Sequence, residues 1–312
     1  MKTTARHRQA TKRQWKFPTL IAVGTLILLT GVAVALYPAT ASWFSQYNQS
    51  KLIDNVSIEQ KTLDTTEAEQ SIAEAREYNR LLVGGAIIEA NQHKATGNIE
   101  NEGQYDYFNL LNASESGAMG RLRIDTIDVD LPIYHGTADK TLTKGVGHLR
   151  GTALPVPGVS QRPVLTAHRG YPEATLFNNL DKLKEGDTFV IEVFGQASTY
   201  KIYETKVIEP EDTESISIEQ GRDLVSLLTC TPLGVNTHRI LVTGERLDPT
   251  PIHDVEQVGT PSTLPNFPWW IIVAIAAVLA SIGIIWKAGY REAELANKRT
   301  KIHQKEHADD LE

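Results

Sequence analysis

Cysteine is nearly absent from this chain of 312 residues, which holds one, Cys230. No disulfide can therefore form within it. Net positive charge is lacking too: the formal charge is −7, which argues against a general nucleic-acid binder, so no nucleic-acid partner is expected. There is no HExxH and no Cys/His cluster, and Asp125, Asp128 and Asp130 do not follow the EF-hand pattern. No metal and no cofactor is expected. The length allows one or two domains.

Acidic residues are missing from residues 1–17, which hold Lys2, Arg6, Arg8, Lys12, Arg13 and Lys16. An apolar run over 18–37 is about long enough to cross a bilayer core. Its basic flank predicts a cytoplasmic N-terminus. The run is longer than a usual signal core, which favours a retained anchor. Ala39-Thr40-Ala41 leaves a cleaved signal peptide as the alternative. Trp43, Phe44 and Tyr47 suit an interfacial aromatic belt. A second apolar run, 269–286, is bounded by Trp269-Trp270 and Trp286-Lys287, and the tail 287–312 carries Arg291, Lys298, Arg299, Lys301 and Lys305. Lys and Arg placement puts both tails inside and residues 38–268 outside. A thiol outside the cytoplasm calls for a reason, and catalysis is one.

Residues 38–119 read as an extracellular helical stalk. Leu52, Ile53, Val56 and Ile58, then Ile72, Ala75, Tyr78, Leu81 and Leu82, recur at helical spacing until Gly84-Gly85. A short helix is expected at 105–111. From 120 to 248 the period changes to two. Leu122 and Ile124, then Ile127, Val129, Leu131 and Ile133, alternate as two strands with a break near Asp125-Thr126. Further strands are read at 164–166, 188–194, 200–208 and on both sides of Cys230, seven or eight in all. Helix is sparse, at 172–183 and 215–220. This fits a mostly β chain forming a closed, largely antiparallel barrel with short helices, preceded by the stalk and flanked by two transmembrane helices. A Pro- and Thr-rich linker follows at 249–268.

The stretch 224–247, LVSLLTCTPLGVNTHRILVTGERL, reads as strand, loop, strand, with Pro232, Gly234 and Asn236 in the loop. Pairing the strands puts Cys230 at the end of one and Arg239 at the start of the next. A thiolate attacks an amide carbonyl, and the oxyanion that forms needs a fixed donor, which the planar arginine fork supplies. His168 in PVLTAHRG, also at a strand end, is the acid–base candidate. His238 adjoins Arg239 on a strand and should face the other way. His135 and His148 sit in turn-like contexts. A lone cysteine is most often a small buried hydrophobe, and the whole string argues against that here.

That string resembles the sortase family. LLTCTP matches its TLxTC box with Cys230 on the nucleophile, Arg239 falls on its arginine, and His168 on the histidine of its TAH element. The GVNTHRILVTG continuation is similar to the class C, pilin-polymerising branch. The resemblance covers residues 120–247 and extends more weakly to both apolar runs. It implies an eight-stranded barrel and a membrane-held transpeptidase of a Gram-positive cell, with catalytic residues His168, Cys230 and Arg239. It implies as partners pilin subunits with an LPxTG-like sorting signal, cut between Thr and Gly, and an acceptor lysine amine. Three other readings stay open: a housekeeping or class E-like sortase that uses a cell-wall amine, a plain cysteine hydrolase, and a non-enzymatic membrane scaffold that binds sorting signals. Class C sortases carry a lid usually marked by an Asp-Pro-aromatic element. Residues 93–118 have none, since Asp106-Tyr107-Phe108 lacks the proline. Leu264-Pro265 mimics a sorting signal, but LPNFP lacks the Thr-Gly to be cut and reads as part of a permanent anchor.

Overall fold

A computed structural model describes residues 14–62, 64–82, 87–88, 95–96, 105–112, 116–171 and 173–309. The Gly84-Gly85 break and much of the stretch searched for a lid, 97–104 and 113–115 included, lie outside the described residues. The chain forms two compact units, Met1–Thr40 with Phe267–Glu312, and Ala41–Asn266.

The first unit is built from the start of helix α1 (Thr19–Thr62) and from helix α5 (Trp269–Asp309). Ala22, Thr25, Leu29, Val32 and Leu36 are the less exposed positions of α1, and Ala274, Ala277, Ser281, Ile285 and Ala288 those of α5. Steps of three and four residues trace one stripe per helix, as when two helices pack along a heptad seam. Small residues on α5 allow close approach. At one end the Trp15 indole donates to Trp286 O at 3.3 Å and Lys16 N to Gly289 O at 3.2 Å. A Cβ at Gly289 would run into the Trp15 ring.

The second unit holds a closed barrel. A two-residue ladder, β1 (Ile87–Ile88) with β2 (Ala95–Thr96), stands apart from it. The barrel strands are β3 (Ala118–Ile124), β4 (Val129–His135), β5 (Val146–His148), β6 (Val164–Thr166), β7 (Thr188–Val193), β8 (Gln196–Ile208), β9 (Leu224–Thr231) and β10 (His238–Arg246). Their order around the barrel is β10-β8-β7-β3-β4-β5-β6-β9. The expected break between the first two is a 3-10 turn at Asp125–Ile127, closed by Asp128 in the left-handed region at φ 52°. Two neighbours are parallel, β4 with β5, which are joined through the short helix α3 (Asp139–Leu142), and β6 with β9. Among the described residues, the helix expected at 172–183 and 215–220 is limited to 3-10 turns, Leu180–Lys182 and Glu214–Ile216.

Alternate residues fill the interior, among them Leu122, Ile124, Leu165, Phe189, Ile191, Val225, Leu227 and Val242. On β6, β9 and β10 the other face is covered as well: Val164, Leu228 and Leu241 pack with Leu149, Ile208 and Ile216. Strands buried on both faces read as unbroken apolar runs, which is why LVSLL does not alternate. At Gly244 of β10 a Cβ would meet the Phe189 ring at 2.6 Å, so glycine lets the bulge after Thr243 close over that ring.

Three segments wrap this barrel. In α1, Val56 packs on Ala118 and Tyr134, and Asp54 accepts from Ser262 N at 3.1 Å. Helix α2 (Thr65–Leu81), capped by Asp64, buries Ile72, Ala75, Tyr78 and Asn79. The Asn79 amide brackets Leu154, accepting from its N at 2.6 Å and donating to its O at 3.1 Å. The third segment is the stretch expected as a linker, which is a strap. It contains α4 (Ile252–Glu256), whose Asp254 accepts from Arg123 Nη2 at 3.0 Å and Thr199 Oγ1 at 2.7 Å. Buried Arg121 forks onto Asp130 at 2.7 Å twice and donates to Thr260 O at 2.8 Å. Ser262 Oγ donates to Asp130 at 2.6 Å.

The helix expected at 105–111 is instead a turn. The Asp106 carboxylate accepts from Phe108 N at 3.1 Å and Asn109 Nδ2 at 2.8 Å, and Leu111 lies at φ 55°. A short acid that captures nearby backbone and side-chain donors competes with a helix.

Candidate functional site

The β9–β10 ladder pairs Cys230 directly with Arg239, and β6 lies on the other side of β9. The parallel register runs from Val164↔Ser226 to Thr166↔Leu228. Two further contacts extend it: Ala167 N donates to Leu228 O at 3.4 Å, and Thr229 Oγ1 donates to Ala167 O at 2.8 Å. Continuing that register brings His168 level with Cys230. All three residues singled out in the sequence thus lie at one rim of three neighbouring strands, in the order His168, Cys230, Arg239.

Cys230 is buried, at 4% exposure, and Arg239 at 3%. Burial pushes the Cys230 thiol up, and the Arg239 charge pulls it partly back. His168 is half-buried, and its ring stacks on Tyr171 with centroids 5.7 Å apart. Burial lowers the His168 pKa, opposed by the charge of Asp139. Both shifts favour an uncharged thiol and imidazole at rest. Arg239 is aimed by its own loop, with Nη1 donating to Asn236 O at 2.8 Å and His238 O at 3.0 Å. Asn236 takes φ 59°, a left-handed conformation that asparagine tolerates.

The remaining histidines lie elsewhere. His238 pairs across to Thr231 with Nε2 3.1 Å from Glu209, pointing away from the rim as strand alternation requires. His135 and His148 are not in turns. They end β4 and β5 and are register partners. His148 Nε2 donates to Ala153 O at 2.7 Å, so its Nδ1 accepts from Tyr107 Oη at 2.8 Å. Tyr107 Oη in turn accepts from Gly136 N at 3.0 Å, and His135 Nε2 lies 2.8 Å from Leu110 O. These histidines fasten the 105–112 turn to the barrel. Among the described residues no three His, Cys, Asp or Glu side chains cluster as a metal site requires.

Sequence reasoning passed over Arg169, next to His168. Its signal was a charged side chain in the first turn after a buried strand, and here its guanidinium is drawn in rather than solvated, at 8% exposure.

A buried thiol beside a fixed guanidinium, with an imidazole level with it, suits attack on a carbonyl, oxyanion stabilisation and proton return to a leaving amine. A family model for the Sortase domain matches residues 122–247. The crystal structure of sortase C-1 from Actinomyces oris is 44% identical at a TM-score of 0.53, covering 58% of this chain and 98% of that one. Sortase C of Streptococcus pneumoniae is 35% identical at a TM-score of 0.57, over 64% of this chain and 98% of that one. That structure was described for its insights into catalysis and pilin substrate specificity. Sortase D of Bacillus subtilis is 28% identical over 191 residues, 60% of this chain and 88% of its relative.

Proposed function

The chain belongs to the sortase family of cysteine transpeptidases, and on that premise we propose that it is a membrane-anchored pilin polymerase with Cys230, His168 and Arg239 as its catalytic residues. One observation supports the site assignment: the β9–β10 ladder pairs Arg239 with Cys230, and the β6–β9 register, continued two residues past Thr166, brings His168 level with Cys230. In this reading the Cys230 thiol hands its proton to His168 as the sulfur attacks the Thr carbonyl of an LPxTG-like sorting signal. Arg239 stabilises the oxyanion, and His168 protonates the glycine amine as it leaves. The thioester is then opened by a lysine amine of the next pilin, forming an isopeptide bond and returning the thiol. The pilin specificity described for the Streptococcus pneumoniae relative supports the choice of substrate.

Two helices long and apolar enough to span a membrane, Thr19–Glu59 and Trp269–Thr300, support the anchor. Trp15 precedes the first and Gly289 follows the apolar part of the second, and the two residues touch. Such contact suits a hairpin with both tails cytoplasmic and the barrel outside.

Mass spectrometry of the full chain with an LPxTG-like peptide tests the reading. A thioester on Cys230 is expected in wild type, and none in Cys230→Ala. His168→Ala should slow transfer by about 10² to 10⁴. In cells, the trapped adduct should carry a pilin, and deletion should abolish the covalent pilin ladder. Adducts resolved only onto a cell-wall amine would overturn the pilin assignment, and transfer by Cys230→Ala would overturn the site.

A further inference from the structure

The short strand β6 ends at Thr166, and its ladder contacts to β9 end with Ala167 and Thr229. His168 lies one residue beyond that support, at the head of a loop. Part of this loop is fastened to itself: Phe177 N donates to His168 O at 3.1 Å, and Gly170 N to Asn178 Oδ1 at 2.6 Å. Neither bond reaches β9.

Arg169 does reach it. Its Nη2 pairs with Asp181 at 2.7 Å, Nε donates to Asn178 O at 3.3 Å, and Nη1 donates to Thr231 Oγ1 at 3.1 Å. One buried planar fork therefore joins the Leu180–Lys182 turn, the loop and the end of β9, which the point charge of a lysine cannot do. Thr231 follows Cys230 as Arg169 follows His168. The Arg169–Thr231 bond thus spans, one residue outward, the gap between Cys230 and His168. Asp181 already pairs with the Arg169 charge, so the contribution at Thr231 is geometric rather than electrostatic.

We propose that Arg169 is a positioning residue that braces the His168 loop against Thr231 and so holds the imidazole at proton-transfer distance from Cys230. The proposal rests on the assignment of Cys230 and His168 made above. Thr231→Val removes only the acceptor hydroxyl and keeps a β-branched side chain suited to the strand. Arg169→Lys keeps the charge and its pairing with Asp181.

The test uses the full chain in detergent and an LPxTG-like peptide, with single-turnover acylation of Cys230 followed by mass spectrometry. Misplacement by about 1 Å is worth on the order of 10²-fold. Each single variant should therefore lose about ten- to a hundredfold in the acylation rate constant, with peptide KM changed by less than about threefold. Iodoacetamide should alkylate Cys230 at the wild-type rate at every pH, because the thiol and Arg239 are untouched. Two residues acting through one bond are not additive, so Arg169→Lys/Thr231→Val should be no slower than the poorer single variant. A general structural role would instead lower the thermal midpoint and raise KM. Wild-type acylation by Thr231→Val, or losses that multiply in the double variant, would overturn the brace alone. A wild-type protein that forms no Cys230 adduct would overturn it together with the assignment beneath it.

Discussion

Arg239 stands directly opposite Cys230 across the β9–β10 ladder, with both residues nearly sealed from solvent. Residues so paired share a face of the sheet, with Cβ atoms about 5 Å apart. The guanidinium is thereby held beside the sulfur by backbone register, and two loop carbonyls fix its orientation.

Arg239→Lys separates charge from geometry. Lysine preserves the charge beside Cys230 but loses the planar fork. Acylation should fall by about 10² to 10³, the usual loss for one oxyanion donor, while alkylation of Cys230 at fixed pH stays close to wild type. Acylation at the wild-type rate would reduce Arg239 to a tuner of the thiol.

The thiol should titrate late. Burial raises the Cys230 pKa above the ordinary cysteine value, and Arg239 offsets part of that rise. The iodoacetamide rate should still climb with pH where an unperturbed cysteine has levelled off. Arg239→Ala should move the rise to higher pH still. A rate already flat above neutral pH would contradict this.

Stability should fall on acidification through His148. Complete burial lowers its pKa to about 4, against roughly 6.5 in the unfolded chain. Between those values the unfolded state binds more protons, so stability is present above the unfolded pKa and is lost as pH falls toward the folded one. The loss from this group is at most about 3 kcal/mol. Urea unfolding from pH 7 to 4 should show it, and His148→Gln should flatten the slope while lowering stability at pH 7. An unchanged slope would assign the acid loss to other groups.

The strap should depend on Arg121. Arg121→Met leaves buried Asp130, and Glu192 3.8 Å from the same guanidinium, without their cation, which costs about 3 to 5 kcal/mol. Pairing it with Asp130→Leu should recover part of that cost, because one of the two stranded carboxylates is gone while Glu192 remains. Denaturant midpoints of the two variants would decide, and a single variant as stable as wild type would contradict the buried pair's role.

Topology has a direct test. Protease added to intact, wall-stripped cells should cut the barrel unit and spare both tails, as the basic flanks at either end require. Cleavage of the 287–312 tail from outside would refute the hairpin.

Much of this was legible in local pattern. Period-two alternation marked β3, β4, β7 and β8, and the punctuation at Pro232, Gly234 and Asn236 marked the β9–β10 turn. That hairpin alone pairs Cys230 with Arg239, since register in a short hairpin follows from its loop. His168 was picked out by its place after a short apolar strand. What failed locally failed for local reasons that only neighbours reveal: the 105–112 segment has helical spacing, yet Asp106 turns it and His135 and His148 hold the turn.

The sequence by itself marked the two apolar helices, most of the barrel strands though not β5, and the three candidate site residues, because hydropathy period and turn chemistry act over a few residues. Only the tertiary structure decided that β6 lies parallel beside β9, that residues 249–266 strap the barrel through Arg121 and Asp254, and that Arg169 turns inward to Thr231. Each of these joins segments far apart in the chain, where partner and register are set by closure of the barrel and burial of charge, for which no local pattern codes.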